Sequence, residues 1–278
     1  MTADSQPFGS FRPSPAVSRV LSASRNSFLQ RGSPRKILAR WLRSTVDGPL
    51  DVELFGVNAR LNIHDNNSEL KSALMGKSVV RAEAAFMDRF LRRNDAQFVD
   101  IGANAGIISL YAASIIPKGR LVAVEPNPVM FARLSGNLKT VNPDFSRKLD
   151  LNLFNCAVGA EDCMMELHLG DDLGQSSLVG NANSKAIEVP VRPLLSILAE
   201  AGMTRIDFLK IDIEGFEDRA LFPFFEAAPA ALHPAAIMME DCHAGRWERD
   251  CMALLDQHGY VVDHKSNTNI YMIKQAAP

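Results

Sequence analysis

Hydrophobic and polar positions follow two different spacings along most of the chain. Short apolar runs, typical of buried strands, alternate with stretches that have apolar positions at helical spacing. From residue 97 onward the runs predict strands at 97–101, 120–124, 149–155, 206–211 and 235–239. Helices are predicted between and after them, at 105–116, 128–138, 193–201, 216–225 and 246–258. Such alternation indicates an α/β fold, a mostly parallel sheet with helices on both faces.

The end of the chain departs from this pattern. Two apolar runs at 261–264 and 269–273 are separated only by a turn, which makes them antiparallel neighbours. A polar, alternating hairpin is also predicted at 164–169 and 186–191. An antiparallel final strand distinguishes this fold from a plain dinucleotide-binding fold.

The chain divides into three parts. We expect residues 97–278 to form a catalytic domain and residues 47–96, with a hairpin at 50–63 and a helix at 78–91, to cap its core. Residues 1–46 contain eight Lys or Arg and one acid, Asp4. This basic segment is either a flexible arm that meets an acidic lipid surface or nucleic acid, or a poorly ordered, solvated terminus. A helix is expected at 33–43 and could dock on the body of the protein. Its composition is also typical of an organelle transit peptide.

Composition sets two further expectations. No apolar run approaches the roughly 18 residues that cross a bilayer. The four cysteines show no C-x-x-C spacing, which argues against a zinc ribbon or a small disulfide scaffold and fits a reducing compartment. A cytoplasmic location is therefore expected.

A glycine turn follows the strand at 97–101. Gly102 and Gly106, with Asn104 between them, are expected to let the backbone approach a ligand closely. The dinucleotide fingerprint G-x-G-x-x-G does not match this spacing. Asp100 precedes the turn, and a carboxylate there repels a pyrophosphate but suits a cationic amine or sulfonium.

An acid at the end of the next strand indicates which ligand the turn holds. Glu125 lies about twenty residues beyond the turn, where a carboxylate can accept hydrogen bonds from both hydroxyls of a ribose. An adenosine with a positively charged aminoacyl tail is S-adenosylmethionine. We therefore expect S-adenosylmethionine as the cofactor.

At this point the chain resembles the FkbM-type methyltransferase family. The matching segments are VDIGANAG (99–106), AVEPNP (123–128), NL (137–138), AVG (157–159), SSL (176–178) and FLKIDIEGFE (208–217). They occur in family order over about residues 80–273, and the last is the most family-specific. The family often has Tyr-Glu before the first strand, whereas this chain has Ala82-Glu83.

The resemblance implies a class I methyltransferase (Rossmann-like) fold with seven strands, the last one antiparallel. It places Gly102, Asn104 and Gly106 by the methionine part of the cofactor, Glu125 by the ribose and 155–158 by the adenine. The residues predicted to bind the cofactor are Glu83, Asp100, Gly102, Asn104, Gly106, Glu125, Pro126, Asn127, Asn155, Ala157, Val158 and Asp212.

Candidate catalytic residues follow the fourth and fifth strands. Lys210, Asp212 and Glu214 would share one strand face if the strand continued, and charges on a buried strand are costly without a partner. His243 is the residue most suited to titrate near neutral pH. The predicted catalytic residues are Asp212, Glu240, His243 and Lys210. Asp212, Glu240 and Asp241 could alternatively bind a divalent metal ion, and we favour a site without metal.

Three functions remain open from the sequence. The first is O-methylation of a hydroxyl on a saccharide or secondary metabolite, with the hairpin at 163–191 and the segment before 97 selecting the acceptor. The oxygen acceptor is implied by the resemblance alone. The second is a non-catalytic protein that binds the cofactor or a partner. The third is a nicotinamide-dependent oxidoreductase, which the missing third glycine and Asp100 disfavour.

Overall fold

A seven-stranded sheet runs through the middle of the structure, a computed structural model that describes residues 6–25, 27–170, 172–173, 176–178 and 185–275. The first two strands, β1 (Leu50–Leu54) and β2 (Val57–Leu61), form an antiparallel hairpin outside this sheet. The sheet strands are β3 (Asn94–Ile101), β4 (Lys118–Val124), β5 (Leu149–Phe154), β9 (Phe208–Ile211), β10 (Ala236–Glu240), β11 (Tyr260–Lys265) and β12 (Asn269–Lys274). A separate three-stranded sheet contains β6 (Ala157–Gly159), β7 (Cys163–His168) and β8 (Ala186–Pro193).

The topology confirms the predicted class I methyltransferase sheet. Its spatial order is β11-β12-β10-β9-β3-β4-β5. Among the described strands of this sheet, only β12 runs against the others, because it pairs antiparallel with both β10 and β11. The chain's first sheet strand, β3, lies at the centre, so the strand order reverses there and opens a crevice at the carboxyl ends.

Helices cover both faces of the sheet. They are α1 (Pro15–Ser24), α2 (Gly32–Thr45), α3 (Asn67–Met75), α4 (Arg81–Leu91), α5 (Ile107–Ile115), α6 (Pro128–Ser135), α7 (Phe145–Lys148), α8 (Leu194–Glu200), α9 (Glu217–Ala227) and α10 (Cys251–Gln257). One hydrophobic core joins α1–α7 and the hairpin to one face, and a second joins α8–α10 to the other. Side chains of β3 alternate between the two cores: Phe98 packs in the first and Val99 in the second.

Several helices differ from the predicted pattern: α1 and α7 were not predicted, and the helix predicted at 78–91 is α-helical only from Arg81. The helix predicted at 246–258 begins only at Cys251, because Asp250 caps it by accepting from the backbone N–H groups of Met252 and Ala253. Helix α3 was not predicted. It begins after Asn66, whose side chain accepts from the N–H groups of two first-turn residues. Within the described residues, no helix combines the length and the apolar character needed to cross a bilayer.

Described residues of the basic segment contact the body of the protein. The predicted helix at 33–43 is confirmed as α2. Residues 1–5 and 26, including Asp4, lie outside the described residues. A buried ion pair anchors the beginning of the segment: Asp51 Oδ1 lies 2.7 Å from Arg60 Nε. Asp51 also accepts from the N–H groups of Gly9 and Phe11, and Arg60 donates to the carbonyl of Pro7.

The Asp51–Arg60 pair is expected to contribute strongly to stability. We predict that Asp51→Asn lowers the free energy of unfolding by about 3–5 kcal/mol, because it leaves a buried guanidinium without its charge partner. Asp150→Asn, which removes an exposed pair with Arg120, should cost about 0–1 kcal/mol. Urea denaturation of both variants measures the difference; equal costs would contradict this anchoring role.

The same pair predicts a pH dependence. Burial alone would raise the pKa of Asp51, but hydrogen bonds from Arg60, Phe11 and Gly9 lower it below its usual value. The stabilisation is therefore complete above the unfolded-state pKa of about 3.9 and is lost as the pH falls through the lower, folded-state pKa.

Candidate active site

A cavity of about 380 Å³ opens at the carboxyl ends of β3, β4 and β9. This volume lies within the range of small-molecule sites, roughly 300–1,000 Å³. Apolar side chains from several elements contribute to its wall: Ile101, Ile107, Ile108, Val124, Val158, Leu167, Leu173, Leu178, Ile213 and Phe216. A ligand with a flat apolar part and a polar part fits such a lining.

The glycine turn forms the floor of this cavity. Gly102 has a φ of 72°, and a Cβ added there would lie 1.9 Å from the carbonyl oxygen of Asp212. Asn104 also has positive φ, 53°, a conformation that Asn tolerates better than most residues. Gly106 does not line the cavity. A Cβ there would lie 2.7 Å from Leu134 Cδ1, so this glycine permits close packing of α5 on α6 rather than approach to a ligand.

Asp100 does not face the cavity. Alternation along β3 turns its side chain toward α5, where it is fully buried and accepts from Ser109 Oγ at 2.6 Å. Its other carboxylate oxygen lies 3.4 Å from Nζ of Lys210, the residue opposite it on β9. Its negative charge is therefore compensated, and the expectation that it repels a pyrophosphate needs correction.

Lys210 acts as a link between two strand ends. Its ammonium donates to the carbonyl oxygens of Ile101 and Gly102 and lies 3.7 Å from Asp212 Oδ2. Burial alone would lower the pKa of Lys210, but Asp100 and Asp212 outweigh this effect and raise it. An ammonium held by two carbonyl oxygens and flanked by two carboxylates is unsuited to act as a base, so these contacts favour a structural role.

Glu125 combines burial with direct access to the cavity. Its Oε2 accepts from the N–H of Asn104 at 2.7 Å and its Oε1 from the N–H of Asn127 at 2.9 Å. Burial raises the pKa of Glu125 to about 7, against the lowering effect of these hydrogen bonds and of Lys210. A carboxylate oxygen can accept more than one hydrogen bond, so both oxygens of Glu125 can still accept a hydrogen bond from a ligand.

Residues after β4 and β5 support this acid. Asn127 caps α6 by accepting from Val129 N–H, as predicted, and Asn155 donates to the carbonyl oxygens of Glu125 and Pro126. Neither asparagine is among the lining residues, whereas Pro126, Ala157 and Val158 are.

The expected walls of the site both reach the cavity. The segment before 97 contributes Asn66, Asn67, Ser68, Lys71, Val79 and Glu83. Burial raises the pKa of Glu83. The hairpin region contributes Leu167, Asp172, Leu173, Ser176 and Leu178, while residues 171, 174–175 and 179–184 lie outside the described part.

Acidic side chains meet one histidine beside the cavity. His243 Nδ1 lies 3.0 Å from Glu240 Oε2 and 3.3 Å from Glu214 Oε2. Of this group, Glu214 and Asp212 line the cavity. Burial, together with Glu240 and Asp212, raises the pKa of Glu214 to about 7. The hydrogen bond to Glu240 raises the pKa of His243. This arrangement can take up a proton near neutral pH.

The loop after β9 is held in a strained shape. The strand ends at Ile211, so the assumed continuation through 214 does not occur, and Glu214 has a φ of 59°. Its carbonyl oxygen accepts from Arg246. Glu217 is fully buried and accepts from the N–H of Ile213 and from the indole of Trp247. Glu217 thus anchors the loop as well as beginning α9.

The possible metal ligands differ from those predicted. Oxygens of Asp212, Glu214 and Glu240 lie within 4.8 Å of one another, and Glu240, Cys242 and His243 form a second such group. Asp241 belongs to neither group among the described residues; its Oδ2 lies 3.5 Å from Lys265 Nζ. Adjacent residues at the end of β10 point in different directions, which separates Asp241 from Glu240.

Asn66 lines the site but was not predicted from the sequence. Its Nδ2 donates to Asn104 Oδ1 at 2.6 Å, which ties the start of α3 to the glycine turn. The signal was present: Asn66 stands three residues before Glu69, the spacing of a helix-capping pair.

Fold and site together define a class of protein. The sheet order with its reversed β12, the glycine turn after the central strand and the acid after the next strand are those of class I S-adenosylmethionine-dependent methyltransferases. The cavity fits that cofactor, since Gly102 leaves no room for a side chain, Glu125 offers acceptors and the remaining wall combines apolar side chains with polar and charged ones.

Comparison with known proteins identifies the family. The family model "Methyltransferase FkbM domain" matches residues 100–262, more than half of the chain. The chain therefore belongs to the FkbM methyltransferase family, as the resemblance indicated.

Two relatives align with about 60% of this chain, and the share of their own length that is aligned differs widely. The AMB antimetabolite synthetase AmbE of Pseudomonas aeruginosa is 28% identical over 60% of this chain, and the match spans 10% of that protein. The 31-O-demethyl-FK506 methyltransferase FkbM of Streptomyces tacrolimicus is 28% identical over 62% of this chain and 75% of that protein. A solved O-methyltransferase from Bacillus cereus in complex with SAH has a TM-score of 0.40 at 14% identity, covering 69% of this chain and 81% of that chain.

The glycine turn predicts a sharp substitution effect. Gly102→Ala should lower the free energy of unfolding by about 2 kcal/mol or more, because its Cβ would overlap the Asp212 carbonyl at positive φ. Gly245→Ala, where nothing lies within 4 Å, should stay within about 0.5 kcal/mol of wild type. Thermal and urea denaturation measure both; a neutral Gly102→Ala would contradict the described turn.

Proposed function

We propose that this protein transfers a methyl group from S-adenosylmethionine to a hydroxyl oxygen of a saccharide or secondary metabolite. The observation that carries the proposal is Glu125, a buried acid that lines the cavity directly beside the glycine turn. A carboxylate at this edge of the sheet suits the two hydroxyls of a ribose. Pro126, Ala157 and Val158 would contact the nucleoside, and Gly102 and Asn104 its aminoacyl tail.

The chain must bind, orient and deprotonate the acceptor. When bound, S-adenosylmethionine supplies the electrophilic methyl group together with its own leaving group. Alignment of the acceptor oxygen can contribute about 7–11 kcal/mol, which exceeds the effect of a positioned base, about 10²–10⁴-fold. The apolar and polar side chains that line the cavity would supply this alignment.

We assign the base role to Glu214 rather than to Lys210. Glu214 lines the cavity, and its carboxylate contacts His243 behind it. A proton taken from the acceptor hydroxyl would reside on Glu214 and be shared with His243 and Glu240. Asp212, also on the cavity, would orient the acceptor or the amine of the cofactor.

Polar residues that line the cavity, together with one relative, support a hydroxylated acceptor. Lys71, Glu83, Asn67 and Thr268 offer charged and polar groups on the cavity, as a hydroxylated acceptor requires. The name of the Streptomyces tacrolimicus relative describes an O-demethyl substrate. For the rival oxidoreductase function, the glycine spacing of the dinucleotide fingerprint is absent from this turn.

Glu125 is expected to make cofactor affinity depend on pH. Ribose hydroxyls donate to the ionised carboxylate, so we predict that affinity for S-adenosylhomocysteine is highest well above pH 7 and falls as the pH drops through about 7. Glu125→Gln should bind at least roughly tenfold more weakly, with no such pH dependence, since an amide NH₂ cannot accept. Calorimetric titration across pH measures this.

The matched control for this prediction is Glu188→Gln, an exposed acid outside the cavity lining. Its affinity for S-adenosylhomocysteine should equal that of wild type at every pH. A Glu125→Gln variant with wild-type affinity and pH profile would contradict the assignment.

Glu214 is expected to control turnover but not cofactor binding. With a panel of hydroxylated acceptors, we predict that wild-type turnover rises with pH through about 7, as Glu214 loses its proton. Glu214→Gln should lower kcat by about 10²–10⁴-fold and bind S-adenosylhomocysteine as wild type does. Release of S-adenosylhomocysteine measures turnover, with the exposed Glu248→Gln as control.

The same assay distinguishes a base from a metal ligand. We propose that the site works without metal, so EDTA should leave wild-type turnover unchanged. Loss of turnover in EDTA that Mg²⁺ restores would instead favour an ion held by Asp212, Glu214 and Glu240. Undiminished turnover of Glu214→Gln would contradict both roles.

A further inference from the structure

The two most exposed large apolar side chains in the described part of the chain lie close together in sequence. Phe28 is 75% exposed and Ile37 is 69% exposed. Phe28 begins a 3₁₀ turn (Phe28–Gln30) that leads into α2, and Ile37 lies on the outer side of α2. Single exposed apolar side chains are common on protein surfaces, so these two indicate a contact surface only together with the charges of the same segment.

Seven of the eight basic side chains of this segment fall into two sets; the eighth, Arg35, is half-buried and lies 3.7 Å from Met75 Sδ. Arg25 and Arg43 turn inward, where they donate to the carbonyl oxygens of Ala73 and Ile63 at 3.1 and 2.9 Å. Five others are exposed and form no ion pair with any described residue: Arg12, Arg19, Arg31, Lys36 and Arg40. The sequence has no acid between Asp4 and Asp47. The inward set holds the segment in place, and the outward set leaves an uncompensated positive surface.

The placement of these charges works against the helix itself. Helix α2 begins after Arg31, without a side-chain cap and without an acid in its first turn. Cations near the positive end of a helix dipole are unfavourable unless an anion is nearby. Helix stability therefore does not explain the positions of Arg31, Arg35 and Lys36.

We propose that Arg12, Arg19, Phe28, Arg31, Lys36, Ile37 and Arg40, the basic-apolar face, bind the surface of an anionic lipid bilayer. Each cation is attracted by acidic headgroups, and the exposed apolar side chains can enter the headgroup–acyl boundary. Helix α2 is about 21 Å long and can lie in the plane of the surface. A nucleic acid would satisfy the charges, but cations contact chiefly its polar phosphates, whereas a bilayer offers both acidic headgroups and an apolar layer for Phe28 and Ile37.

The face adjoins the rim of the candidate active site. Arg43, one turn beyond Arg40 on α2, donates to Asn67 Oδ1 at 3.2 Å, and Asn67 lines the cavity. Binding of the face to a bilayer would therefore keep the cavity close to the membrane surface. This inference goes beyond the proposed methyl transfer and does not depend on it.

The test is co-sedimentation of the full chain with vesicles. We expect binding to phosphatidylcholine vesicles that contain phosphatidylserine, weakening as salt rises, and no binding to pure phosphatidylcholine. The triple variant Arg31→Glu, Lys36→Glu, Arg40→Glu should bind at least roughly tenfold more weakly, given about 1 kcal/mol per cation near the surface. The control Lys118→Glu, Lys139→Glu, Arg147→Glu reverses three exposed cations elsewhere and should bind as wild type.

A second variant tests the apolar contribution at constant charge. Phe28→Ser with Ile37→Ser should also weaken vesicle binding, while the melting curve and S-adenosylhomocysteine binding stay as in wild type. The proposal is overturned if both triple variants bind equally, if the serine variant binds as wild type, if wild type does not prefer anionic vesicles, or if it prefers duplex RNA or DNA to them.

Discussion

The buried ammonium of Lys210 holds together the carboxyl ends of β3 and β9, the two strands at the centre of the sheet. It donates to the carbonyl oxygens of Ile101 and Gly102 and is flanked by the carboxylates of Asp100 and Asp212. An ion in this position is stable only when its charge is paired and its protons are bonded. The shape of the glycine turn, and therefore of the cavity floor, depends on this set of contacts.

The charged side chains near the cavity therefore have separate roles: some compensate each other inside the protein, and others line the cavity. Asp100 and Lys210 compensate each other's charge inside the protein, whereas the buried Glu125 and the half-buried Glu214 are among the acids that line the cavity. Both have a pKa raised to about 7 by burial, so each can change protonation near neutral pH. One lies beside the glycine turn and the other beside His243, which fits separate roles in holding a nucleoside and in accepting a proton.

Much of the fold could be read from the sequence, because strand and helix spacings are strong local signals. The antiparallel end was evident from the short turn before β12. Side-chain direction was harder to predict. Which face of β3 carries Asp100 decides whether it points to a ligand or to α5. Whether Glu214 points the same way as Lys210 depends on the residue at which β9 ends. The direction of Asp241 likewise depends on where β10 ends, and Gly106 lies against Leu134 because of how α5 packs on α6. Asn66 was missed because its contact to Asn104 joins positions far apart in the chain.

The central claim is that the glycine turn and Glu125 hold an adenosine with a sulfur-bearing aminoacyl tail rather than a dinucleotide. Calorimetric titration of the purified protein with S-adenosylmethionine, S-adenosylhomocysteine and NADH tests it most directly. We expect saturable binding of the first two at one site and no binding of NADH. Tight binding of NADH, or no binding of any of the three, would contradict it.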